Sequence, residues 1–295
     1  MAIFEGSAVA LITPFTEEKK IDFEQLEKLV EFHIEHQTDA IVVCGTTGES
    51  STMTHEEHSE CIRFVVKKVK NRIPVIAGTG SNDTMAAIEL SLEAKRDGVD
   101  GLLLVTPYYN KATQNGLFLH FSEIAKAVNI PILLYNVPSR TSCNLEAKTC
   151  AKLFEQVKNI VGVKEASGNV VQSLEILHRT QGKMDVYSGN DDLILPILSI
   201  GGKGVISVLA NIVPKQTHQM VAEYLSGNII KSQHLQREYY PLIQALFCEV
   251  NPIPVKAACK LKGLCNGIVR MPLTEMEEDN QKRLEKVMKD CQLLS

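Results

Sequence analysis

Residues 160–169 read IVGVKEASGN. The first four are a short apolar run of the kind that forms a buried strand. Where that strand should end stands Lys164, followed by Glu165 and a Ser-Gly turn. The lysine is either an ordinary strand-end charge whose ammonium snorkels to water or an amine held at the edge of the core for chemistry. The rest of the chain has to decide between them.

Seven further runs resemble this one: SAVALIT (7–13), AIVVCG (40–45), IPVIAG (73–78), DGLLLVT (100–106), IPILLYN (130–136), DVYSG (185–189) and GVISV (204–208). They are apolar on both faces, as parallel strands covered by helices must be. Helical patterns separate them. Asp22 with Gln25 fits a capping box before LEKLVEFHIEH, and Thr54 with Glu57 fits another before CIRFVVKKVK. Asn82 or Asp83 can cap the helix that runs to Arg96, and Gly98 is placed as its stop. Eight strands alternating with helices predict a (β/α)8 TIM barrel. A doubly wound sheet is the alternative, but GTGSND (78–83) lacks the third glycine of a dinucleotide loop. After residue 214 no strand pattern appears. KQTHQMVAEYL, HLQREYYPLIQALF, VKAACKLKG and MEEDNQKRLEKVMKDC read as helices. The expected organisation is a barrel over 1–225 carrying the active site and a C-terminal helical segment over 226–295.

The chain has 295 residues, 44% of them hydrophobic and 22% charged, with a formal charge of −4. That charge gives no electrostatic reason to bind nucleic acid, and with no Trp and 5% aromatics there is no base-stacking platform. The N-terminal MAIFEGSAVALITPF has no basic region and meets Glu5 early, so it does not read as a signal peptide. No apolar run is long enough for a membrane span. The eight cysteines include no C-x-x-C pair and read as reduced thiols, so a cytoplasmic location is expected.

Barrel enzymes carry their reacting groups at the C-terminal ends of the strands. Here those ends read GTTGES (45–50), TPYYN (106–110), YNVPSRT (135–141), KEASG (164–168) and SGND (188–191), whereas the entry sides carry plain turns. At such an end Lys164 suits a Schiff-base role, because Val161 and Val163 offer apolar surroundings that favour the neutral, nucleophilic amine. Tyr135 is either an interfacial tyrosine or a phenol that moves protons beside the lysine. GTTGES is either a turn or an anion cradle of backbone N–H groups and hydroxyls. Arg140 is either solvated or a bidentate clamp for a carboxylate. His55-x-x-His58 lacks the further ligands a metal needs, and no metal is expected.

Six of these motifs (GTTGES, TPYYN, YNVPSRT, GVKEASG, SGND and GGKGVIS) stand in the order and spacing of the dihydrodipicolinate synthase family. The sequence resembles that family from GSAVALITPF to the C-terminal helices. The family belongs to the class I aldolase superfamily that also holds N-acetylneuraminate lyase. The resemblance implies a cytoplasmic lyase of lysine and diaminopimelate biosynthesis. It would condense pyruvate with aspartate semialdehyde to 4-hydroxy-tetrahydrodipicolinate, without a cofactor. It also implies roles. Lys164 would form the Schiff base, with Tyr135, Thr47 and Tyr109 as the proton relay, Tyr109 entering from a neighbouring subunit of a homotetramer built as a dimer of dimers. Thr46 and Thr47 would hold the pyruvate carboxylate, and Arg140 the carboxylate of the aldehyde. Gly189 and Ile206 would supply backbone contacts. Two rivals stay open, a pyruvate-dependent lyase of a sugar acid and a non-catalytic binding protein on the same barrel. The family commonly follows the arginine with Thr-Gly, and the chain departs from it in following Thr141 with Ser142 and Cys143. It departs again at the feedback site, where Ser51, His55, His58, Asn82 and Tyr108 match but Ala86 replaces a glutamate. Weak or absent inhibition by lysine is therefore expected.

Overall fold

In the computed structural model, which describes residues 2–294, each of the eight apolar runs forms a strand. β1 is Gly6–Ala10, β2 Ala40–Val43, β3 Val75–Gly78, β4 Gly101–Val105, β5 Ile132–Asn136, β6 Ile160–Glu165, β7 Asp185–Ser188 and β8 Gly204–Ser207. All pair in parallel with their sequence neighbours, and β8 pairs with β1 to close the barrel. The helices are α1 Phe23–Glu35, α2 His55–Val69, α3 Thr84–Asp97, α4 Gln114–Val128, α5 Pro138–Thr141, α6 Ala147–Gln156, α7 Val170–Arg179, α8 Ile194–Ser199 and α9 Pro214–Leu225. Three more follow β8 and α9: α10 Ile229–Leu246, α11 Ile253–Leu261 and α12 Glu278–Asp290. Met1 and Ser295, the outer ends of the two expected segments, lie outside the described residues.

The expected caps are largely present. Thr54 and Glu57 bond reciprocally, while Asp83 rather than Asn82 caps α3, and Gly98 closes it at φ 89°. Asp22 supplies only half of a capping box. Its carboxylate accepts from Gln25 N, but its own N–H is committed to the Pro14 carbonyl and has nothing left for Gln25.

Alternate residues of each strand separate into two apolar layers. Ala8, Ala10, Val42, Ile76, Leu103 and Leu133 fill the barrel interior, which Phe4 and Tyr187 also enter as a stacked pair with ring centres 4.4 Å apart. Val9, Ile41, Val43, Leu102, Leu104 and Val163 face the helices. In β6 the alternation is broken. Ile132 pairs with Ile160 but Leu133 pairs with Gly162, so Val161 is an extra residue and β6 bulges there. Strict alternation from Ile160, which packs in the helix-facing layer, would send Lys164 into that layer too. The bulge shifts the phase by one residue and turns Lys164 inward. Gly162 allows the close approach this needs, because a Cβ there would stand 2.6 Å from the Asp185 carbonyl oxygen and 2.9 Å from Leu133 Cδ2.

Candidate active site

The cavity at the C-terminal mouth of the barrel holds about 190 Å³, and Lys164, Tyr135, Thr46, Thr47, Arg140 and Gly189 all line it. Lys164 and Tyr135 pair across β6 and β5, and Lys164 Nζ lies 4.4 Å from the centre of the Tyr135 ring. Both are nearly sealed, at 6% and 7% exposure. The expectation that Val161 and Val163 together surround the amine is corrected. Val163 points into the helix layer, and the phenol ring, Leu103, Ala166 and Gly189 supply the wall instead. Gly189 has no room for a side chain, since its Cβ would meet Ala166 Cβ at 2.5 Å and Lys164 Cε at 3.1 Å. Ile206 is fully buried in the inner barrel packing, and just beyond β8 it is Val208 that reaches the cavity.

Thr47 is held from the far end of the chain. Asn251, in the turn before α11, donates its Nδ2–H to Thr47 Oγ1 at 2.9 Å. Arg140 donates from Nη2 to the Asn251 carbonyl at 3.1 Å. Thr47 Oγ1 thus accepts one bond from Asn251, and its own proton is left for another acceptor. Glu49 of the same GTTGES loop sits at φ 56° and accepts from Lys256 Nζ at 2.6 Å, both side chains 1% exposed or less. Its second oxygen accepts from Arg270 N at 3.0 Å, and the Arg270 guanidinium reaches Glu57 and the Thr52 carbonyl. Phe15 lies between Lys256 Nζ at 4.1 Å and Arg270 Cζ at 4.3 Å. Burial holds the Lys256 ammonium below its usual range, against the pull of Glu49. Sequence reasoning missed Asn251, Glu49 and Lys256. The only signal was a glutamate inside an otherwise neutral hydroxyl loop.

Behind the lysine, Glu165 accepts from Asn136 Nδ2, Ser167 N and Gln172 Nε2, and Asn136 also binds Asn144 and Leu145 N. These bonds fix the strand end on which Lys164 stands. In the Arg140 loop, Ser142 takes φ 54°, a conformation that glycine adopts without strain. Thr141 Oγ1 accepts from Cys143 N and ties the turn down.

Tyr109 does not enter the cavity of its own chain. It is 90% exposed at φ 74°, projecting outward from the β4 loop. Tyr108 lines a second cavity of about 430 Å³, together with Ser51, His55 and His58. Thr46 and Arg140 border both cavities. Asn82 is not in the wall of the second one and instead gives its carbonyl to Asn110 Nδ2. His58 Nε2 bonds the Gly78 carbonyl, and burial lowers its proton affinity. Ala86 forms part of this wall, and among the described residues no carboxylate lines it.

A family model described as the dihydrodipicolinate synthetase family matches residues 3–291. The 4-hydroxy-tetrahydrodipicolinate synthase of Lachnoclostridium phytofermentans is 56% identical over 294 residues, all of both chains. Among solved structures, the chloride-inhibited dihydrodipicolinate synthase of Acinetobacter baumannii complexed with pyruvate superposes with a TM-score of 0.96. It is 44% identical and the match covers 98% of this chain and 99% of that one. The dihydrodipicolinate synthase of Cyanidioschyzon merolae with lysine bound superposes at 0.97, with 41% identity and 100% of both chains covered.

Proposed function

The chain belongs to the dihydrodipicolinate synthetase family, and on that footing we propose that it condenses pyruvate with aspartate semialdehyde to 4-hydroxy-tetrahydrodipicolinate. The observation that carries the reading is Lys164, 6% exposed, with its amine 4.4 Å over the Tyr135 ring in a cavity that also holds two threonines and an arginine.

The free amine of Lys164 adds to the ketone carbon of pyruvate, whose carboxylate rests on Thr46 and Thr47. The carbinolamine takes a proton at its hydroxyl through Tyr135 and loses water, leaving a protonated imine. The imine draws electrons from the methyl carbon, which gives up a proton and becomes an enamine. That carbon then bonds to the aldehyde carbon of the second substrate, whose carboxylate Arg140 holds, and the aldehyde oxygen is protonated. The product's amine finally attacks the imine carbon, and the C–N bond to Lys164 breaks to close the ring and restore the lysine.

Thr47 passes protons between Tyr135 and solvent. Tyr109, exposed on its own chain, completes that relay in a neighbouring subunit, and the assembly is a tetramer of two dimers. We read 226–295 as a segment that serves the 1–225 barrel, because Asn251, Lys256 and Arg270 all grip the GTTGES loop. A cytoplasmic location goes with this biosynthetic role. Among the described residues no helix is long and apolar enough to cross a membrane. A sugar-acid lyase fits less well, because a polyhydroxylated substrate has less use for the Arg140 cation. Borohydride reduction with pyruvate followed by peptide mass measurement tests the reading. An adduct on Lys164 is expected, and its absence refutes the aldolase mechanism.

A further inference from the structure

Asp191 is 2% exposed and sits directly behind the wall of the Lys164 cavity. Asn190 just before it lines that cavity, and so does Val208, whose N–H donates to Asp191 Oδ2 at 3.1 Å. Gly189, two residues earlier, is packed on the lysine, since a Cβ there would stand 3.1 Å from Lys164 Cε. Asp191 Oδ2 also accepts from Leu209 N at 2.9 Å, and Gln236 donates to the Asp191 carbonyl. The donors to this carboxylate are neutral. Burial raises its proton affinity, while the Ser207 hydroxyl, the two N–H groups and the charge of Lys164 pull it down.

The other buried carboxylates near the mouth act elsewhere. Glu49 is paired with Lys256. Glu165 follows Lys164 on β6 and points the other way, toward the helix layer of Cys150, whose thiol is held up by burial and then by the Glu165 charge. That leaves Arg140, Lys164 and Asp191. With Lys164 as the free amine, Arg140 and Asp191 cancel. Pyruvate brings one negative charge and the protonated imine one positive charge, so the sum returns to zero. Without Asp191 the imine and Arg140 would leave one positive charge uncompensated in a poorly solvated cavity.

We propose that Asp191 is the buried counter-charge of the Lys164 imine, keeping it protonated and electron-withdrawing while the methyl proton leaves and the new carbon–carbon bond forms. This rests on the function proposed above and adds no covalent step to it. The placement suits the task. A carboxylate in contact with the amine would hold it as an ammonium in an ion pair. Behind the wall, with Oδ2 committed to two backbone N–H groups, Asp191 acts through space and cannot take the imine's proton.

The test uses two reductants. Cyanoborohydride reduces a protonated imine and spares a neutral one, whereas borohydride reduces both. The ratio of the two adducts on Lys164, measured by mass across pH, gives the midpoint at which the imine loses its proton. Tyr135 and Arg140 face the imine from β5 and α5, and Tyr187 of β7 gives its hydroxyl to the Phe4 carbonyl. These groups are common to all the variants, so a difference between variants isolates Asp191. In Asp191→Asn, which keeps an acceptor for the two N–H groups and loses the charge, the midpoint should fall by about one pH unit. Asp191→Ser should shift it the same way, which keeps the test open if the amide variant does not fold. Asp192→Asn should leave it in place, because that side chain is exposed and water screens its charge. A wild-type midpoint in an Asp191 variant that borohydride still traps, or an equal shift in Asp192→Asn, would overturn the counter-charge. A wild-type protein that borohydride does not trap overturns the underlying function instead, so the two failures are distinct.

Discussion

Lys164 and Tyr135 stand side by side on neighbouring strands, the amine 4.4 Å above the phenol ring. The ring is both a wall of the amine's pocket and the carrier of a hydroxyl at its edge, and substitution separates the two roles. Tyr135→Phe keeps the wall and loses the proton carrier, so kcat should fall about 10²–10⁴-fold while pyruvate is still trapped slowly on Lys164. Lys164→Ala should trap nothing. Full activity in either variant, measured by steady-state kinetics, removes that residue from the mechanism.

Arg140 is held by the Asn251 carbonyl through Nη2, and its side chain borders both cavities. Arg140→Ala should raise the KM for aspartate semialdehyde by about one to two orders of magnitude, the worth of a charge-assisted hydrogen bond. The affinity for pyruvate should be left alone. Arg140→Lys should recover only part of it, because an ammonium cannot make the bidentate fork. A matching loss for pyruvate would show that the arginine shapes the whole mouth rather than one substrate.

The barrel was legible because eight apolar runs with helices between them admit few arrangements, and the polar strand ends marked its working face. The direction of Lys164 was not legible. It depends on the extra residue Val161, and the only trace of that bulge is Gly162 inside the strand, which does not say where the phase shifts. The grip of the C-terminal segment was hidden for a different reason. Asn251 and Thr47 lie 204 positions apart, and Lys256 and Glu49 lie 207 apart, so only the closed fold makes them neighbours.

The second cavity predicts the response to lysine. An amino-acid ammonium needs a carboxylate there, and Ala86 with its neighbours provides none. Lysine should leave the rate unchanged in an initial-rate assay. A sub-millimolar inhibition constant would mean that the ammonium finds another partner.

Glu49 and Lys256 form a buried ion pair, and removing one member strands the other. Lys256→Met should cost about 3–5 kcal/mol in urea unfolding and raise the KM for pyruvate by loosening the GTTGES loop. Glu49→Gln combined with Lys256→Met should cost less than the single lysine change, because no charge is left buried. If the double variant is the less stable, the pair contributes more than the cost of a stranded charge.

Acid stability should be limited by buried histidines that stay neutral in the fold, His33 and His120 most of all, with His58 acting in the same direction. Burial lowers His33 to about 3 and His120 to about 4, against an ordinary value of 6.5. As pH drops below 6.5 the unfolded chain takes up protons that these buried rings refuse. Stability therefore falls with pH, by about 1.4 kcal/mol per unit for each ring, until the folded values are reached. His218 works the other way. Its bond to Asp39 raises its proton affinity, so its contribution is present at low pH and is lost as pH rises through the folded value. That change lies above pH 6.5, so it does not offset the buried rings, and net stability should decline between pH 6.5 and about 4.5. His33→Leu removes one of the protons refused, so it should flatten that decline by about 1.4 kcal/mol per pH unit, whatever it does to stability at neutral pH. Urea midpoints across the range measure the slope, and an unchanged slope in His33→Leu would show that His33 takes up its proton in the fold.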